Sequence, residues 1–342
     1  MPPHVPVAQS EPQRADGRSE PVQSPRETPD GGTPDGDPDL DVELSVVADG
    51  ARVAGDAYER ASRLTVRRLS EHAYWVESGG YHSTVVVGTS SLLLLDPLSG
   101  GRGERIREAV ERVFGLSLSA IAYSHGHRDH SGDAAALTGT ATRGHHMDVI
   151  ATEACAARVA RTVGLVSPTR VIANDETFDF EGVTIEARVI GGHTEDSTWY
   201  RLPDEGVLHM VDLVHPGQAE FDSFGMAPDL AGYRSALETA LNADWRVLTA
   251  GHGQLGWRDD VRMVVAYLDH VGECVGAALG DNPPERFTDP RRHGYTAIQA
   301  RLAAVQDQAL AQLSPRWGSL PGFEVAAPSH VKRVFLEQAY FA

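Results

Sequence analysis

Apolar and polar positions along the chain follow two different rhythms that change near residue 256. Before that point, short runs rich in β-branched and aromatic residues alternate with polar turns, which is how strands read in a sequence. Residues 64–77, 83–87, 91–96, 118–123, 148–152, 176–180, 183–190, 197–202, 207–211 and 246–250 are predicted strands on this basis. Ile106, Val110 and Val113 recur at helical spacing and predict a helix over 102–114. Shorter helical signals open at Ala134 and Thr152, and another covers 230–241. The order is α/β with many antiparallel hairpins rather than a regular βαβ repeat. Beyond 256 the period becomes helical throughout. Val261, Val264, Val265, Leu268, Val271 and Val275 form one stripe, and Ile298, Leu302, Val305 and Leu313 form a second. A third, Val331, Val334 and Phe335, is read as starting after Pro328-Ser329.

Composition adds a third region. Residues 1–50 hold 9 of the 20 prolines, with 11 acids against 3 arginines. Up to Asp39 they hold almost no large apolar side chains, so burial cannot offset the entropy of ordering. The expected division is a disordered acidic tail over 1–50, an α/β domain over 51–256 and a helical C-terminal region over 257–342. A chain of 342 residues can bury a large core without staples. Its two cysteines, Cys155 and Cys274, exclude a disulfide framework and read as buried apolar-like residues. The net charge of −18 argues against nucleic acid and anionic membranes as partners. No apolar run approaches the ~20 residues of a membrane span, and the N-terminal residues lack a signal-peptide core. A soluble cytoplasmic enzyme acting on a small molecule is expected. Nothing in the sequence encodes an oligomeric state. Gly100-Gly101-Arg102-Gly103 lacks both the P-loop Lys and the dinucleotide spacing, so no phosphate cradle is read there.

The candidate chemistry lies in the histidines. His125, His127, Asp129 and His130 occupy six residues directly after the strand at 118–123. Three imidazoles and a carboxylate packed this tightly would be costly without a cation, and the donor set suits zinc, with manganese or iron also compatible. Further single donors follow later strands between small residues: His193 in Gly191-Gly192-His193-Thr194, Asp212 after 207–211, and His252 in Gly251-His252-Gly253.

This ordered set resembles the metallo-β-lactamase fold superfamily of metal-dependent hydrolases. His125-Gly-His127-Arg-Asp129-His130 is similar to its central motif. The apolar strand ending in Asp96 resembles the first motif, and Gly192-His193-Thr194, Asp212 and Gly251-His252 resemble the third to fifth. The resemblance covers about 90–255 and implies an αββα sandwich with metals at one edge. It further implies that His125, His127 and His193 bind a first ion, that Asp129, His130 and His252 bind a second, and that Asp212 bridges them. Asp96 is expected to accept hydrogen bonds from the ligand loop. Two zinc ions per chain, hydrolysis of a small ester, thioester or lactone, and catalytic parts for Asp129 and Asp212 follow as expectations. The bridging Asp is similar to the glyoxalase-II and lactonase branch rather than to true β-lactamases, so β-lactam hydrolysis is at most a side activity. A mononuclear-iron enzyme of the sulfur-dioxygenase type is the alternative.

Outside these motifs, His215 is a candidate pocket residue, and Arg291 and Arg292 are candidates for holding an anionic substrate group. Glu195 and Asp196 read as solvated loop charges, with attraction of a cationic substrate group as the alternative. His209 is expected inside the strand before Asp212. His145 and His146 read as structural or exposed.

Overall fold

The computed structural model describes residues 40–50, 63–139, 147–288 and 294–341. Eight strands form one sheet in chain order: β1 (Leu40–Glu43), β2 (Leu64–Arg68), β3 (Ala73–Ser78), β4 (Tyr81–Val87), β5 (Ser91–Leu95), β6 (Ser117–Ala122), β7 (Asp148–Thr152) and β8 (Arg170–Ile172). Strands β2 to β5 pair antiparallel, whereas β1–β2 and the β5–β8 half pair parallel. A second sheet again keeps chain order: β9 (Asp175–Phe180), β10 (Val183–Val189), β11 (Thr198–Leu202), β12 (Val207–His209) and β13 (Val247–Thr249). Helices α1 (Arg102–Phe114), α2 (Arg128–Ser131), α3 (Ala134–Gly139) and α4 (Glu153–Val159) connect strands of the first sheet or follow them. Helix α5 (Leu230–Asn242) lies between β12 and β13, and α6 (Arg258–Asp281), α7 (Gly294–Trp317) and α8 (Phe323–Leu336) follow β13.

The strand β5, Ser-Leu-Leu-Leu-Leu, shows how the layers arise. All five residues are buried, as a strand covered on both faces requires. Leu92 and Leu94 pack with Ile106, Val110 and Cys155 on the helix side. Leu93 and Leu95 point the other way, into a core shared with Ile185, Tyr200 and Val207 of the second sheet. The outer face of that sheet, including Trp199 and Leu208, packs on Val264, Val271, Leu313 and Val331 of the later helices. The result is helix–sheet–sheet–helix, the expected αββα order. The C-terminal helices share one core with the second sheet rather than forming their own. Among the described residues, no helix is long and apolar enough to cross a membrane.

Three local expectations need correction. The run 64–77 is two strands, because Leu69 and Ser70 turn and both amides bond the Ala73 carbonyl. The third C-terminal stripe belongs to a helix that starts at Phe323, with Pro328 inside it. Pro328 cannot donate to the carbonyl one turn back, but that residue, Glu324, is solvent-exposed. The tail boundary also moves. Residues 1–39 lie outside the described residues, but Leu40–Glu43 pair parallel with β2, and Leu40 is buried against Leu64 and Val66. Acidic neighbours masked this strand, since only Leu40 and Val42 of the four residues are apolar. Leu40→Ala is therefore expected to cost about 2 kcal/mol in urea unfolding, near the low end for a buried leucine because the strand is at an edge.

Candidate metal centre

Strand direction alone gathers the donors. Strands β5 and β6 run parallel, so Asp96 and the loop carrying His125 leave the first sheet at the same edge. In the second sheet β10 is antiparallel to β11, β11 is antiparallel to β12, and β12 is parallel to β13. The chain therefore exits β10, β12 and β13 at one edge, carrying His193, Asp212 and His252. The amide of His82 bonds the Gly251 carbonyl at 2.8 Å and joins the two sheets there.

Two groups of four donors result, both containing Asp212. One is His125, His127, His193 and Asp212; the other is Asp129, His130, Asp212 and His252. The structure thus brings together all seven residues that the sequence singled out. Asp212 Oδ2 lies 3.6 Å from Nε2 of His125 and of His193, and 3.2 Å from His130 Nε2. His252 Nε2 lies 3.4 Å from Asp212 Oδ1 and 3.7 Å from Asp129 Oδ2. Donors about 2.0–2.1 Å from a tetrahedral ion stand roughly 3.4 Å apart, so these spacings fit a metal's first shell. A second observation agrees. Among the described residues, His125 Nε2 and Asp212 Oδ1 are buried with no hydrogen-bond partner, a costly condition that a cation would relieve.

The electrostatics match. Burial, partly countered by Asp212, holds His125 well below the ordinary histidine range, and His193 is lowered in the same way. Both are neutral donors at pH 7. Burial opposes charge on Asp212, but His130, His125 and His252 hold its carboxyl well below the usual carboxylate range. Burial also opposes charge on His130, yet Asp212, Asp96 and Asp129 push it up to about 9. The proton that His130 carries is the one an entering cation must displace.

Supporting bonds fix these side chains. Asp96 accepts from the Ser124 amide at 2.7 Å and the Ser124 hydroxyl at 2.6 Å, and the same hydroxyl touches His125 Nδ1 at 2.9 Å. Asp96 thus holds the ligand loop. His209 lies in β12, 3.3 Å from Asp96 and within reach of Thr84 and Thr249. Asp96 and Asp212 both adopt positive φ, 67° and 63°. Such backbone costs about 1–3 kcal/mol per residue and concentrates at functional sites. Gly251, at φ +83°, leaves the space that this crowding needs: a Cβ there would stand 2.5 Å from Val211 and 3.0 Å from His130.

Several residues differ from their expectation or lay beyond it. Asp196 is buried and accepts the Gly126 amide at 2.8 Å, so it braces the ligand loop rather than meeting solvent; Glu195 is exposed. His215 lines the cavity over the donors, and its Nδ1 lies 2.7 Å from the buried Glu220. Burial opposes charge on His215, but Glu220 raises its pKa. Glu220 carried no sequence signal, because a turn through Pro216-Gly217 brings it back to His215. The His193 Nδ1 partner, the Gly225 carbonyl, was equally unreadable: Ser223, Phe224, Gly225 and Met226 all take positive φ in a left-handed turn. Arg291, Arg292, His145 and His146 lie outside the described residues.

Known proteins agree with this geometry at the level of the family. The family model described as the metallo-beta-lactamase superfamily matches residues 78–252, just over half of the chain. The chain belongs to that superfamily, whose members are mostly metal-dependent hydrolases. It is 26% identical over 231 residues to the lactamase-like protein nscB of Neosartorya fischeri, covering 65% of this chain and 56% of that protein. The chain thus spans little more than half the length of this relative. The fold is similar to a metallo-beta-lactamase from Pontibacter korlensis, with TM-score 0.52 and 21% identity over 60% of this chain and 98% of that one. It is also similar to the sec-alkylsulfatase Pisa1 from Pseudomonas sp., with TM-score 0.58 and 17% identity over 82% of this chain and 51% of that one. At these identities the structural likeness establishes the fold.

Proposed function

We propose that the chain is a dinuclear zinc-dependent hydrolase of an ester, thioester or lactone. The observation that carries this reading is the pair of four-donor groups sharing Asp212, each spaced for one ion. Two zinc ions held there would supply a nucleophile from water at neutral pH and polarise the scissile carbonyl. The protein's own groups do the remainder. His125, His127 and His193 present ring nitrogens from one side, and Asp129 a carboxylate with the ring nitrogens of His130 and His252 from the other. Asp212 supplies the negative charge that would let two dications stand close together. Asp129 is partly exposed at the cavity floor and is placed to orient water or to carry a proton towards the leaving group. His215 is held by Glu220 with its ring over the cavity, 5.8 Å from the His252 ring, where it can hydrogen-bond substrate. No nucleophilic side chain is needed, so no covalent acyl-enzyme is expected. The completeness of the second donor group favours this reading over a mononuclear-iron dioxygenase.

Elemental analysis of purified protein, combined with a screen of esters, thioesters, lactones, phosphodiesters and β-lactams, tests it. About two zinc ions per chain and turnover of the first three classes are expected. One iron and no zinc would overturn the proposal.

A further inference from the structure

Two cavities meet at the donor cluster, and their walls differ in kind. The larger, about 830 Å³, reaches from His127, Asp129 and His252 to the segment 321–329 at the start of α8. Its lining includes the large apolar side chains of Phe221, Met226 and Val325. These three are 56%, 51% and 78% exposed. Among the described residues only seven large apolar side chains are that exposed, so three of them facing one cavity is a concentration that asks for an apolar occupant. The smaller cavity, about 410 Å³, shares His127, His193 and Met226 with the first but is lined by Arg158, Arg161, Thr194 and Glu195. Arg158 crosses the ligand loop itself: a Cβ on Gly126 would stand 2.6 Å from its Cγ. Among the described residues neither arginine makes an ion pair.

The apolar wall is built, not incidental. The Ser223 amide donates to Ser329 Oγ at 2.9 Å, and His330 Nε2 lies 3.0 Å from the Phe221 carbonyl. These bonds pin the turn carrying Phe221 and Met226 to α8, the helix carrying Val325. The ring of Phe224 stacks on His330 at 4.4 Å beneath them. A volume of this size takes a drug-sized molecule rather than an acetyl-sized one.

Resting on the hydrolase reading, we infer that the substrate is amphipathic: a medium-length apolar chain lies along Phe221, Met226 and Val325, and the polar remainder lies by Arg158 and Arg161. The reactive bond then falls between the two arms, over the donor cluster. An aliphatic chain would cover side chains that otherwise face water, and the gain grows with each methylene.

The test uses zinc-loaded full-length protein with p-nitrophenyl acetate and p-nitrophenyl decanoate. The decanoyl ester is expected to show at least ~10-fold higher kcat/KM, since each methylene in an apolar pocket adds discrimination. Val325→Asp and Phe221→Asp are expected to collapse that ratio, while Val171→Asp, an exposed valine on β8, keeps it. Binding of decanoate, measured by calorimetry on wild type and Val325→Asp, separates this inference from the reading beneath it. Ester hydrolysis without chain-length preference would overturn the apolar arm and leave the hydrolase reading standing. Decanoate binding lost in Val325→Asp, with no ester, thioester or lactone of the screen hydrolysed, would uphold the arm and overturn the hydrolase reading. Neither decanoate binding nor hydrolysis of any of the three classes would overturn both.

Discussion

Asp212→Asn is expected to lower turnover at least ~100-fold, on the scale seen when a positioned electrostatic group is lost, with the fold intact by circular dichroism. The carboxylate is the one group common to both donor sets. Asparagine keeps its size and accepts the positive φ that Asp212 adopts, because a short polar side chain tolerates this region better than most. What disappears is the negative charge that His130, His125 and His252 surround. Without it, five imidazoles and Asp129 must hold four positive charges, and the weaker second ion should be lost. Zinc stoichiometry is therefore expected to fall from about two towards one along with activity. Asp204→Asn, in an exposed turn between β11 and β12, removes the same charge far from the donors and is expected to change neither. Two zincs and full activity in Asp212→Asn would mean that another residue joins the two groups.

The donors were legible because each is one polar residue ending an apolar strand, and such strands are the strongest signal in this chain. Periodicity found the strand before His125 and the strand before His193 without any contact information. Knowing that they meet needed the sheet order, which the ordered motifs implied and no single motif could. The supports of the site were a different matter. Asp196 and Glu195 are adjacent acids of equal standing in the sequence; only the fold decides that one braces Gly126 and the other faces water. His215 was readable as a pocket residue, but its partner Glu220 depends on a turn geometry that a sequence does not spell out. The same holds for the left-handed turn at 223–226. Three of its four residues are not glycine, so the usual marker of positive φ is mostly absent. Packing imposes that turn: Phe224 is wholly buried against Tyr233, Tyr267 and His330. Tertiary contacts that override local preference leave no local trace.

That turn leads to the second large expected effect. Its Gly225 carbonyl is the partner of His193 Nδ1 and so sets which nitrogen of His193 faces the donor cluster. Gly225 has φ +65°, and a Cβ there would stand 2.7 Å from the Asp212 carbonyl oxygen, a backbone atom that cannot swing aside. Gly225→Ala must therefore push the turn away from β12 or shift Asp212. Either movement breaks the hydrogen bond that orients His193. Losing such a supporting partner typically costs about 10–100-fold in metal affinity or activity. Zinc titration with a competing chelator is expected to show the loss in the group containing His193, with the group of Asp129, His130 and His252 affected less. Backbone strain alone predicts something smaller. Gly115→Ala supplies that comparison: Gly115 caps α1 at φ +66° with nothing within 4 Å of a new Cβ. It should cost about 1 kcal/mol of stability and leave zinc affinity at the wild-type value. Equal zinc affinities in the two variants would show that the Gly225 carbonyl does not position His193.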